Sequence, residues 1–163
     1  MREGRETLRK AVLGAVMLGF GVLAGPVMAC QAPAGADGIR DGVISWMNAE
    51  RNARGLGELR ASGTLQNSAT NHACDMAGRD FFSHEGPGGP SLTQRLRKVG
   101  YRFRAANENI AKTSTDSVER VAEIWRKSPG HMANVLDPKV REVGIGLALG
   151  DGKIYWVTNS GTK

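Results

Sequence analysis

Glu142-Val143-Gly144-Ile145-Gly146-Leu147-Ala148-Leu149, the turn Gly150-Asp151-Gly152, and Lys153-Ile154-Tyr155-Trp156-Val157-Thr158-Asn159 decide the fold class. Both arms are rich in β-branched and aromatic residues, and the glycine-flanked aspartate between them can reverse the chain. The pattern therefore predicts a β-hairpin. Everything upstream reads mainly at helical spacing. Helices first and strands later point to an α+β layered domain and away from a parallel βαβ sheet.

Working outward from the hairpin, Val118, Val121, Ala122 and Trp125 recur at i, i+3, i+4 and i+7, the spacing of a buried helical stripe. Asp116 and Glu119 are placed to start that helix. Ser128-Pro129 ends it and opens a short helical turn through His131. Tyr101 to Ile110 is a further candidate strand. Ser91 and Gln94 form a capping-box pattern for a helix that Gly100 ends. Gly86-Pro87-Gly88-Gly89-Pro90 is a loop by composition. Gly63 to Arg79 carries Leu65, Ala69, Ala73, Met76 and Ala77 on one helical face. Asp41 to Arg54 is the first helix, with Asp41 as its cap, Val43, Ile44 and Met47 on one side, and Gly55 as its stop.

The N-terminal segment is of another kind. Arg2, Arg5, Arg9 and Lys10 lead into an uncharged run from Ala11 that Pro26 breaks, and Val27-Met28-Ala29 precedes Cys30. This is the layout of a secretory signal peptide over residues 1–29. Residues 30–38 then read as a small-residue linker, and 39–163 as one domain. The whole chain carries 22 Lys+Arg and 16 Asp+Glu over 163 residues, a net charge of +6. Four of those basic and two of those acidic residues fall in the first 29, so the remainder carries +4. With 40% hydrophobic residues it can bury a core, which excludes a disordered chain. Two cysteines exclude a disulfide-dense miniprotein. Cys30 has two exclusive fates: Val27-Met28-Ala29-Cys30 resembles a lipobox, which would lipidate Cys30 and anchor the chain to a membrane, or Cys30 pairs with Cys74. Cys74 alone reads as a small buried helix residue.

The candidates for chemistry are few. Of three histidines, His72 sits mid-helix and reads as a packed or hydrogen-bonded residue. His84 follows the aromatic anchor Phe81-Phe82 and leads into the Gly/Pro loop; His131 follows Ser128-Pro129-Gly130. Both lie at element ends, where side chains can converge. Glu108, within Asn107-Glu108-Asn109, is placed between them in sequence. Two neutral imidazoles and a carboxylate are suitable ligands for Zn²⁺. Spacing alone does not join the three.

The order of motifs does. Phe81-Phe82-Ser83-His84, Asn107-Glu108-Asn109-Ile110-Ala111, the run Trp125 to Leu136 (WRKSPGHMANVL), Val143-Gly144-Ile145-Gly146 and Tyr155-Trp156-Val157 follow one another. The chain resembles the CAP superfamily (cysteine-rich secretory proteins, antigen 5 and pathogenesis-related 1 proteins, or SCP domains), and within it the short bacterial branch. The resemblance spans about Ile39 to Gly161 and implies an α-β-α sandwich with a small, mostly antiparallel sheet between helical layers. It also implies a cleft with two histidines, here His84 and His131, able to hold a divalent metal, and a first glutamate, here Glu108. The family's second glutamate falls three residues after the helix tryptophan. That position is Ser128, so the cleft has one carboxylate where many relatives have two, and Met132 replaces a common basic residue.

The resemblance implies an exported protein that acts outside the cytoplasm, periplasmic, secreted or lipid-anchored. The main expectation is a non-catalytic binding module whose His84, Glu108, Ser128 and His131 line a ligand cleft. Its partner would be an envelope, lipid or protein ligand. The alternative is a metal-dependent hydrolase in which His84 and His131 hold Zn²⁺, Glu108 is ligand or base, and bound water attacks. Gly88 breaks any HExxH continuation of His84-Glu85, no Gly-x-Ser-x-Gly element exists, and Ser128 beside Pro129 reads as a helix cap. A third reading has His84 and Glu108 bonded to each other, tying sheet to helices. Arg95, Arg97, Lys98, Arg102 and Arg104 read as a solvated basic face or a contact for anionic envelope polymers. No stacking-aromatic signature supports a nucleic-acid partner.

Overall fold

A computed structural model describes residues 30–163; the signal-peptide reading of 1–29 lies outside the described residues. Chain order is α1 (Ala36–Asn52), β1 (Arg60–Ala61), α2 (Gly63–Gly78), α3 (Leu92–Lys98), β2 (Ala105–Thr113), α4 (Val118–Arg126), α5 (Pro129–Val135), β3 (Glu142–Gly150) and β4 (Lys153–Thr162). The class is α+β, as the hairpin and the upstream helices predict. The four strands lie in the order β1-β3-β4-β2. β4 runs antiparallel to both neighbours, and only the two-residue β1 is parallel, to β3.

Period-two alternation sorts the sheet's side chains between two helical layers. Val143, Ile145 and Leu147 of β3, with Ile154 and Trp156 of β4, join Val43, Met47, Val121 and Trp125 in the core under α1, α4 and α5. Tyr155, Val157, Ala148 and Ile110 face the other way, onto Ala69, Ala73 and Met76 of α2. The intervening β3 positions on that second face are glycines. A Cβ at Gly144 would fall on the backbone of Leu65 and Gln66, and one at Gly146 on that of Ala69 and Thr70. Backbone therefore rests on backbone where α2 crosses β3, which only glycine permits.

Local signals fixed most helix ends. Ser91 and Gln94 form the full capping box, and Ser128 Oγ accepts the His131 N–H with Pro129 in the first turn. Two starts differ from the sequence expectation. α4 is capped by Ser117, whose Oγ accepts from Arg120 N, and not by Asp116. α1 begins at Ala36, five residues before Asp41, with left-handed Gly35 as its N-cap. The segment before it is held at two points: Cys30 is disulfide-bonded to Cys74 of α2, and Leu149 N–H donates to Gln31 O at 2.7 Å. The reading of 30–38 as a plain linker is corrected to that extent. Of the two fates of Cys30, the described structure takes the pairing with Cys74, and a sulfur so bonded cannot carry a lipid.

Candidate functional site

The site is built across β2, the sheet's edge strand. Its Asn-Glu-Asn segment sends alternate side chains to opposite faces. Asn107 and Asn109 reach α5: Asn107 Nδ2 donates to Asn134 O and Asp137 Oδ2, and Asn109 Nδ2 donates to His131 O at 3.1 Å. Asn134 Nδ2 returns bonds to Glu108 O and Asn109 Oδ1. These bonds fasten the His131 helix to the strand. Trp125 Nε1–H donates to Ile110 O and anchors α4 beside it.

Glu108 points to the other face and is buried there. Its Oε1 meets His84 Nδ1 at 2.9 Å, and its Oε2 accepts from Arg95 Nη2 at 2.5 Å and Asn159 Nδ2 at 2.8 Å. Asn159 is the residue opposite Glu108 in the β2–β4 register. Arg95 Nη1 also donates to His84 O and Pro90 O, so one guanidinium ties the Gly/Pro loop to the carboxylate. His72 Nε2 lies 3.9 Å from Glu108 Oε1 and 3.0 Å from Ser83 O, to which it donates. The sequence expectation for His72, a packed, hydrogen-bonded helix residue, matches its burial and this bond.

Burial alone would raise the Glu108 pKa, but the His84 hydrogen bond and the Arg95 charge outweigh it and hold the carboxyl below its usual range. Burial lowers the pKa of His72 against the opposing pull of Glu108. Burial and the nearby His84 lower that of His131. His72 and His131 stay neutral in the folded chain at pH values where the unfolded chain, at the usual 6.5, takes up protons. Their contribution to stability is whole above pH 6.5 and is lost as pH falls through the folded values. The denaturant midpoint is therefore expected to drop from about pH 7 to about pH 5. An unchanged midpoint would sink the assignment.

His84 and Glu108 are in direct contact, and His131 lies across β2 on α5, tied to Asn109 through its carbonyl. Both Glu108 oxygens are engaged within the protein, so it stands behind His84 and fits poorly as a third metal ligand or a free base. Among the described residues, no group of three or more His, Cys, Asp or Glu side chains is arranged to hold a metal ion. The side-chain donors of the set not spent within the protein are the two imidazoles. His84 Nδ1 donates to Glu108, which leaves Nε2 as a lone pair on a ring whose side chain is 56% exposed. Among the described residues His131 Nδ1 is buried without a hydrogen-bond partner. Ser128 lies nearby as the cap of α5, with its hydroxyl on the His131 N–H at 3.4 Å, and supplies no carboxylate. The aromatic anchor is Phe81 alone, packed under α2, whereas Phe82 is 48% exposed two residues from His84.

Sequence reasoning missed Arg95 and Asn159. Arg95 was counted with the solvated basic face; it is buried, while Arg97, Lys98, Arg102 and Arg104 are exposed. A signal existed: Arg95 falls on the stripe Leu92, Leu96, Val99 of α3. Asn159 has no local signal, because its role comes from strand pairing.

The fold and these motifs have relatives. The chain is 33% identical over 116 residues to the uncharacterised protein YkwD of Bacillus subtilis (strain 168), an alignment covering 71% of this chain and 45% of that protein. It spans less than half the length of this relative. A solved extracellular protein containing a SCP domain, from Bacillus anthracis, superposes with a TM-score of 0.69 at 26% identity, over 78% of this chain and 41% of that one. An outer surface protein from Borrelia burgdorferi superposes with a TM-score of 0.73 at 19% identity, over 83% of this chain and 99% of that one. Residues 44–160 match the cysteine-rich secretory protein family, and with the sandwich and the ordered motifs in place the chain belongs to that family.

Proposed function

We propose that this chain is an exported binding module whose cleft at His84 and His131 holds a ligand of the cell envelope, with a divalent metal such as Zn²⁺ seated on the two imidazoles. The observation that carries this reading is the pair of unspent rings. Glu108 fixes the His84 tautomer from behind, and His131, its pKa lowered by burial, has no partner at its buried Nδ1 among the described residues. Neutral imidazoles are what a divalent zinc ion takes as ligands. When bound, the metal would supply a positive charge for an anionic or carbonyl group of the ligand. The protein's own part is to hold His84 in one tautomer, to keep His131 deprotonated, and to present Phe82 as an apolar edge beside the loop.

Hydrolysis finds less support in the geometry. The only carboxylate of the set is paired with Arg95 and bonded on both oxygens, so no carboxylate there is free to take a proton from water. Export is supported by the Cys30–Cys74 bond, since such bonds persist in oxidising compartments. It is also supported by the extracellular and surface character stated for the B. anthracis and Borrelia proteins. Among the described residues no helix is long and apolar enough to cross a membrane.

Zinc titration of the purified protein by calorimetry tests the reading. One ion per chain is expected. His84→Ala and His131→Ala should each weaken binding by at least about tenfold, the scale on which losing a ligand or its support acts. Zinc binding that ignores both substitutions would overturn the site. Peptide or ester turnover abolished by both would overturn the non-catalytic reading.

A further inference from the structure

We propose that a second site, apart from the His84–His131 cleft, lies between α2 and α3 and binds the carboxylate of a small hydroxylated ligand. A cavity of about 390 Å³ opens there, lined by Ser68, Asn71, His72 and Asp75 from α2 and by Arg95 and Lys98 from α3. That volume is in the range of small-molecule pockets. Arg79 also borders it, with Pro90 and Val99 as apolar wall.

The charges around the cavity nearly cancel, and the remainder is informative. Arg95 is spent on Glu108, and Arg79 lies 3.2 Å from Asp75. Among the described residues no carboxylate lies within ion-pair distance of Lys98, which therefore carries the one unmatched positive charge. A single carboxylate balances it. A phosphate monoester, at about −1.5 to −2 near neutral pH, overshoots.

Two lining residues carry deeply buried donors that lack partners among the described residues. Arg95 is 7% exposed and its Nε has none; Ser68 is 1% exposed and its Oγ has none. Native structures rarely shut such groups away unsatisfied, so the wall between α2 and α3 holds more donor capacity than the protein itself uses. His72 spends its Nε2–H on Ser83 O, which leaves Nδ1 as the ring's acceptor. With Asn71 and Asp75 it offers acceptors of the kind that ligand hydroxyls satisfy. Donors, acceptors and one surplus cation thus point to an acid that also bears hydroxyl or amide groups. A sugar acid and a peptide C-terminus both have this chemistry.

The test is a titration of the isotope-labelled, disulfide-bonded protein with glucuronate, with N-acetyl-alanyl-alanine and with inorganic phosphate, followed by amide chemical shifts. Saturable shifts at Ser68, Asn71, His72 and Lys98 are expected with at least one carboxylate, and which one responds identifies the source. Lys98 is exposed and its replacement should not disturb folding. Lys98→Glu should raise Kd at least about fivefold by setting like charges together, with Lys98→Met in between and zinc binding at the cleft unchanged. The proposal is overturned by shifts confined to His84 and His131, by equal affinity in Lys98→Glu, by phosphate binding alone, or by no saturable shift with either carboxylate.

Discussion

Replacing Glu108 with Gln is expected to cost about 3–5 kcal/mol of folding stability, although the side chains are nearly the same size. The ionised carboxylate is the common partner of Arg95, His84 and Asn159, and it is buried. An amide keeps one acceptor oxygen but leaves the Arg95 guanidinium as a buried charge without its counter-charge. Its NH₂ would also face the donors that now converge on Oε2. Denaturant unfolding of the variant measures the loss. A double variant, Arg95→Met with Glu108→Gln, removes both charges and should be less costly than the sum of the two single changes by at least about 1 kcal/mol. A single-variant loss under about 1 kcal/mol would mean that water reaches the pair and screens it, as at a surface ion pair. The ionised form also sets an acid limit. Because the folded pKa lies below the usual 4.5, the contribution of Glu108 is complete above that value and disappears as pH falls through the folded value.

Gly146→Val is expected to be as damaging for an unrelated reason, with a loss of at least about 4 kcal/mol or no folded protein at all. No rotamer helps, because the first added carbon already coincides with the backbone of Ala69 and Thr70. The strand can accept valine only if α2 lifts away. That would uncover Ala69, Ala73 and Met76 from the face formed by Ala148, Tyr155 and Val157. Leu147→Val, one residue on and facing the other core, serves as the comparison and should cost about 1 kcal/mol, the scale of a removed methylene. Circular dichroism and thermal unfolding of the two variants separate the cases. Equal effects would mean that the α2 crossing yields more easily than its packing indicates.

What the sequence disclosed and what it hid divide along the range of the interactions. The β3–β4 hairpin was legible because alternation and a two-glycine turn are local. So were the Ser91/Gln94 box and the Ser128 cap, each complete within four residues. The early start of α1 was not, since Ala36 to Gly38 carry no apolar stripe, and what orders the preceding segment is a bond to residue 74 and another to residue 149. In the site, the ordered motifs named His84, Glu108 and His131 as one group but could not divide their tasks. Whether Glu108 faces a metal or stands behind a histidine depends on Arg95 and Asn159, 13 and 51 residues away in sequence. Arg95 looked like one more surface cation in a basic stretch. Its place on the stripe of Leu92, Leu96 and Val99 becomes meaningful only once a carboxylate is known to wait across that face.

The order of the strands has a consequence for when the site can exist. β4 is the last strand in chain order, yet it lies in the interior of the sheet, between β3 and β2. Asn159, the cross-strand partner of Glu108, is carried on it. A chain emerging N-terminus first, from a ribosome or from a membrane channel, can form its helices early but has nothing to join β2 to β3 until residues 153–162 are free. The carboxylate of Glu108 therefore gains its full set of partners in the closing step of assembly. A chain stalled short of that strand would carry every histidine of the cleft and still have no cleft.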